Sequence, residues 1–237
     1  MHKDITYKPF GDRAILIEWQ PKIDENILKD MIQFKAKIKA QVDGVVDVIL
    51  AYHSITILYK SIIYDFFEKV NDLKTIYLQK VKELKFRSNV WEIPVCYDLE
   101  FGLDLEEISK KKQLKIDDII EIHTKPLYTV FFIGFLPGFP YLSGLNQQLF
   151  FDRKANPRLQ VEKGSVAIGG QQTGVYPVSS SGGWNIIGKT PISFFNINNS
   201  QPTFLKSGDK IKFVSISKEE FFKIEKFNHT AKIINND

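Results

Sequence analysis

The chain has 237 residues, 43% of them hydrophobic and 25% charged, with a net charge of +4. That balance is ordinary for a folded globular protein and excludes disorder as its main state. A globule of this length buries roughly 70–75% of its unfolded surface, so its stability needs no covalent staples. The single cysteine, Cys96, excludes an internal disulfide, and four scattered histidines give no metal-ligand spacing, so no metal is expected. The start MHKDITYKPFGDRAILIEW holds no apolar core of signal-peptide length. No apolar run approaches the ~20 residues of a membrane span. A cytoplasmic protein without membrane contact is therefore expected. The positive charge comes largely from lysines such as Lys35, Lys37, Lys39 and Lys110 to Lys112. They are spread along helix faces as a solvated surface would be, not clustered with exposed aromatics as in a nucleic-acid binder.

Alternation of Ile15, Ile17 and Trp19 with Ala14, Leu16 and Glu18 predicts a strand over residues 13–19, entered through Gly11 and Asp12. Ile27, Leu28, Met31, Phe34 and Ile38 recur every three or four positions and predict a helix between residues 23 and 40, ended by Gly44. Two strands follow at 45–51 and 54–59, joined across Tyr52 and His53. A second helix is predicted from an N-cap at Ser61, with Ile63, Phe66, Phe67, Val70, Leu73, Tyr77, Val81 and Leu84 at helical spacing. With a strand at 91–96, this order describes a small α+β sandwich.

Residues 104–112 and 117–124 predict two short helices joined near Leu114. A DNA-reading helix-turn-helix is excluded by charge, because Asp117, Asp118 and Glu121 would meet phosphate. From Tyr128 onward, glycine and proline become frequent and helical periodicity disappears. Strands at 128–133, 165–168, 192–197 and 211–216 suggest a compact β barrel, and a surface helix is expected after Ser217.

Three glycine- and proline-rich segments carry the chemistry: GFLPGFPYLSGL (134–145), NPRLQVEKGSVAIGGQQTGVYPV (156–178) and SGGWNIIGKTP (181–191). Such loops hold fixed backbone angles and can present N–H groups to a ligand. Arg158, Gln172, Thr173 and Lys189 within them are candidate ligand contacts. Phe135, Phe139, Tyr141 and Trp184 are either core aromatics or the apolar wall of a pocket. His123, at the end of a predicted helix, either caps carbonyls or serves as a general acid or base. Gly183, Gly188, Lys189 and Thr190 satisfy the phosphate-loop pattern GxxxxGK[ST]. That pattern requires a helix opening at the lysine, and Pro191 holds Thr190 extended instead.

The segments GDRAILIEW, AYHSITILY, EIPVCYDLEFGLDLEEIS, EIHTKPLYTVFFIGFLPGFPYLSGL, NPR, GSVAIGGQQTGVYP and GGWNIIGKTP, in this order, resemble the family that includes the B subunit of bacterial 5-oxoprolinase, the kinase inhibitor KipI and the first subunit of allophanate hydrolase. The resemblance runs almost end to end. It implies an N-terminal α+β domain over residues 1–90 and a cyclophilin-like β-barrel domain over 91–237. It implies a C subunit (PxpC, KipA-like) and an A subunit (PxpA-like) as partners. The implied reaction converts 5-oxoproline to glutamate with ATP hydrolysis, ATP being bound with or by a partner. A KipI-like inhibitor docking on a histidine kinase and an allophanate hydrolase component are the alternative readings. Glu162, Ser181 and Lys189 depart from the family's usual proline, proline and arginine.

For oxoproline cleavage, Arg158 is expected to hold a carboxylate or phosphate, and Gln172 and Thr173 to hydrogen-bond the lactam. Backbone N–H groups at Gly169 and Gly170 would stabilise negative charge, and His123 would relay a proton. Phe135, Gly138, Phe139 and Lys189 complete the expected substrate pocket.

Overall fold

Apolar alternation and helical periodicity in the first 79 residues produce a four-stranded antiparallel sheet with two helices. The strands are β1 (Thr6–Pro9), β2 (Ala14–Glu18), β3 (Val45–Leu50) and β4 (Ser54–Tyr59), in the order β1-β2-β4-β3. The helices are α1 (Glu25–Gln41) and α2 (Phe66–Leu78). Ile15 and Ile17 of β2 and Ile55 and Ile57 of β4 are fully buried, as are Met31 and Ile38 on α1. Asp30 ties the helices to the sheet, accepting from Trp19 Nε1 (2.9 Å) and the Tyr77 hydroxyl (2.5 Å). The rings of Trp19, Phe34 and Tyr77 meet edge-on around it.

The computed structural model describes residues 5–79, 88–227 and 230–234. It divides into two compact units, Met1–Arg87 and Ser88–Asp237. One boundary differs from the sequence expectation. Helix α2 is capped by Asp65, whose carboxylate accepts from Glu68 N, and not by Ser61. The turn ahead of it is held instead by the strand side, with Ile63 N donating to Asp12 O. Val81 and Leu84, expected on the same helix, lie outside the described residues.

The second unit holds the strands β5 (Val90–Val95), β6 (Tyr128–Ile133), β7 (Pro140–Ser143), β8 (Arg158–Val161), β9 (Ser165–Gly169), β10 (Gln172–Val175), β11 (Ser180–Gly182), β12 (Asn185–Lys189), β13 (Lys210–Ser215) and β14 (Lys232–Ile233). Its helices are α3 (Leu105–Lys112), α4 (Ile116–Thr124) and α5 (Lys218–Lys226). Eight strands form one sheet in the order β12-β9-β10-β7-β6-β13-β5-β14, and β8 pairs with β11 apart from it.

The fold class is α+β, as the sequence predicts, but the expected barrel is not continuous. The sheet curls until β12 meets the residue after β5, where Cys96 and Lys189 exchange two backbone hydrogen bonds (2.8 and 2.9 Å). That single bridge is the seam, and no ladder extends from it.

Residues 192–197, expected to be a strand, join no β-ladder. Ile192 and Phe194 are buried as alternation requires. However, Pro191 offers no N–H, and the Ile192 N–H is taken by Thr190 Oγ1. The segment thus plugs the core without joining a ladder.

Strand β9 is buried throughout because it has a core on each side. Val166 and Ile168 face a large cluster with Tyr128, Leu142, Ile187 and Phe213. Ala167 faces a smaller one with Phe139, Tyr176, Trp184 and Ile186. The two faces divide the candidate site residues between them.

Candidate functional site

Asp104 stands at the N-cap position of α3 but does not cap it. Its carboxylate, 2% exposed, is turned to accept from Ile186 N (2.7 Å), Arg158 Nη1 (2.9 Å), Arg158 Nη2 (2.8 Å) and Lys154 Nζ (2.7 Å). The Asp104 N–H donates back to Ile186 O. One buried anion thus joins α3, β12, β8 and the segment before β8. A buried carboxylate is tolerable only when paired and hydrogen-bonded, and both conditions are met here. One turn on, Glu107 accepts from Lys111 (2.8 Å) and Lys154 (3.0 Å), whose ammonium groups pull its carboxyl down to about 2. Desolvation lowers Lys154, but its hydrogen bonds to Asp104 and Glu107 outweigh that and leave its pKa raised.

The bidentate grip of Asp104 fixes the guanidinium plane of Arg158 and leaves its remaining N–H donors for a ligand. Arg158 lines a cleft of about 290 Å³ with Phe101, Gln160, Glu162, Ser165 and Lys189. Lys189 Nζ bonds Glu162 at 2.5 Å and lies 5.5 Å from the Phe101 ring centre. The structure thus brings Arg158 and Lys189 together. Lys154 lines a larger open depression of about 810 Å³ with Lys111, Lys112, Arg153, Phe151 and Gln171.

The remaining predicted residues lie elsewhere. His123 has no exposed surface, and its ring stacks on Phe213 at 4.8 Å. Nδ1 meets the Tyr97 hydroxyl (2.8 Å) and Nε2 meets Thr173 Oγ1 (3.0 Å). Burial drives its pKa down to about 3, so it is a neutral core imidazole at pH 7. Thr173 is equally buried and donates to Ala167 O. Both ring nitrogens are thus engaged by side chains within the core, and none of these contacts is a helix-end carbonyl.

Gln172 opens β10 opposite Gly169, half-buried and outside the Arg158 cleft. The Gly170 N–H donates to Phe151 O at 2.8 Å and is therefore already satisfied. Gly169 lies against Trp184, where an added Cβ would stand 2.6 Å from the indole. Phe139 is 1% exposed, with its ring against Tyr176 (5.2 Å) and Trp184 (5.4 Å). Gly138 holds a turn with φ +84°, while Phe135 is 65% exposed with φ +65°. The GxxxxGKT string runs along β12, and no helix opens at Lys189. It makes no phosphate loop.

Asp104 and Lys154 were not distinguished in the sequence. Asp104 followed three residues later by Glu107 has the spacing of a capping box, which conceals an aspartate turned toward Arg158. The partner motif NPR did single out Arg158.

The model of the carboxyltransferase domain, subdomain C and D, matches residues 5–205. The chain belongs to the carboxyltransferase-domain family. Within it, the 5-oxoprolinase B subunit of Bacillus subtilis (strain 168) is 38% identical over 222 residues, covering 89% of this chain and 92% of that one. The protein of the same name from Haemophilus influenzae is 38% identical over 206 residues, covering 87% and 95%. The solved Kluyveromyces lactis urea carboxylase superposes with a TM-score of 0.81 at 19% identity, over 97% of this chain but only 24% of that one. That likeness concerns the carboxyltransferase fold alone. Among the described residues no helix is long and apolar enough to cross a membrane.

Proposed function

We propose that this chain is the B subunit of an ATP-dependent 5-oxoprolinase, which opens the lactam of 5-oxoproline to glutamate together with A and C subunits. The observation that carries the reading is the 38% identity to a 5-oxoprolinase B subunit across nine-tenths of both chains. A lactam amide is a poor electrophile, so activating its oxygen through ATP is what makes ring opening feasible at neutral pH. The GxxxxGKT string runs along β12 and makes no phosphate loop, and ATP is assigned to a partner or to a surface shared with one.

The chain's own contribution is electrostatic positioning. Arg158, held flat by Asp104, offers a fixed cation for the substrate carboxylate, and Lys189 is a second cation in the same cleft. Gln172, paired with Gly169 at the far end of β9 from Ser165 and Lys189, is left out of the substrate contacts. With both His123 nitrogens and the Thr173 hydroxyl engaged in the core, their part is to brace β10 from beneath. Proton transfer is assigned outside this set.

The experiment reconstitutes the purified chain with its A and C subunits and measures oxoproline-dependent ATP hydrolysis. Turnover is expected only with all three subunits present. Arg158→Ala should lower kcat/KM by about 100-fold or more, with most of the loss in KM, as expected when an anchoring cation is removed. Undiminished turnover in that variant would remove Arg158 from the site. Turnover by the chain alone would overturn the reading that the activity is shared among three polypeptides.

A further inference from the structure

The first unit carries a second concave site, unrelated to Arg158. Two adjoining depressions of about 410 and 420 Å³ share Asp43, Tyr59 and Lys69 in their walls. Asp65, Glu68 and Asp72 complete the charged lining, so four carboxylates face one amine in a chain whose net charge is positive. Asp65 is already committed to capping α2. Asp43 and Asp72 form no ion pair with any described residue. Gln41 and Val42, at the C-terminal end of α1, stand in the same wall. The negative end of that helix dipole reinforces the preference for a cation.

An acidic cluster alone is no site, but here a buried group points the same way. Tyr59 is 5% exposed, and its hydroxyl is sealed from solvent without a hydrogen-bond partner. A buried orphan hydroxyl is costly, and a donor entering the groove would relieve that cost. Asp72 and burial together already keep the phenol protonated, at about 12, burial being the larger cause. At the rim, Ile62 and Tyr64 are 49% and 92% exposed. A free amine would leave those two side chains wet, whereas a polypeptide carrying the cation would cover them.

We propose that this groove receives a lysine or arginine side chain of a partner polypeptide, its cationic head between Asp43, Asp72 and the Tyr59 hydroxyl and its flanking apolar residues on Ile62 and Tyr64. Lys69 is the side chain such a ligand displaces.

The test uses the full isotope-labelled chain and a short synthetic peptide with a central lysine flanked by leucines, followed by amide NMR shifts. Its norleucine counterpart and n-butylammonium serve as controls. Saturable shifts are expected at Gly44, Tyr59 and Asp72 with the lysine peptide, and at least about tenfold weaker binding with either control. The Asp43→Asn, Asp72→Asn double variant should also lose about tenfold or more in affinity. Tyr59→Phe should weaken peptide binding while its thermal midpoint stays at or above that of the parent. Three outcomes would overturn the proposal: no saturable shift at these amides, butylammonium binding as well as the peptide, or Tyr59→Phe losing thermal stability, which would give the hydroxyl a partner within the fold.

Discussion

Protonating His123 means placing a charge between Tyr97, Thr173 and the Phe213 ring, where no water reaches it. Its folded pKa of about 3 lies below the ordinary 6.5, so the unfolded chain binds the extra proton throughout the interval between them. Stability is therefore fully present above pH 6.5 and is lost progressively as pH falls toward 3, by on the order of 5 kcal/mol over the whole window. Urea midpoints of the parent and His123→Gln should diverge at pH 7 and converge near pH 3. Parallel curves would mean that the imidazole is solvated. The signal for this burial was in the sequence, since Ile119 and His123 are four apart and share the buried face of α4. Reading His123 by its place at the helix end obscured it. Asp104 left no such trace, because a buried carboxylate and a helix cap look alike until β8 and β12 are folded against it. Asp104→Asn should cost about 2–4 kcal/mol in urea titrations, since it strands Arg158 and Lys154 without their counter-charge.

Elements with a sustained period were legible, and those set by long-range pairing were not. Five apolar residues at helical spacing locate α1, and all five are buried. The short strands β7, β8, β10 and β11 have three or four residues each, too few for alternation to stand out from turns. Residues 192–197 show the converse, with alternation but no edge to pair with. The seam between β12 and Cys96 depends on a close approach that glycine permits. A Cβ at Gly188 would lie 2.8 Å from the Cys96 carbonyl oxygen and 2.9 Å from Val95 Cγ1. Gly188→Ala should force the seam apart at a cost of about 1–3 kcal/mol. Hydrogen exchange reads this directly: the Cys96 and Lys189 amides should lose protection while that of Phe213, in the middle of β13, keeps its own. Unchanged protection at Cys96 would show that the backbone absorbs the methyl elsewhere.

At the scale of the molecule, the change of composition near residue 90 reflects two ways of filling a core. The first unit fills its core from helix faces and sheet, with Ile15, Ile17, Met31, Phe34 and Ile57 at 1% exposure or less. The second relies on a curled sheet whose tight turns and close strand approaches demand glycine, and it encloses Tyr128, Val166, Ile187 and Phe213. The division falls between Arg87 and Ser88. Because each unit has a buried core of its own, residues 1–87 and 88–237 should fold as separate polypeptides, each with a cooperative urea transition and near-UV circular dichroism of packed aromatics. The shorter piece is the stricter test. A domain of that size buries only about 60–65% of its unfolded surface and has little stability to spare. If Trp19, Phe34 and Tyr77 remain locked around Asp30 in the isolated piece, Asp30→Ala should abolish its transition, whereas in the full chain the same change should leave the Ser88–Asp237 transition intact. A single transition lost as a whole in the full-length variant would mean that the two cores are not independent.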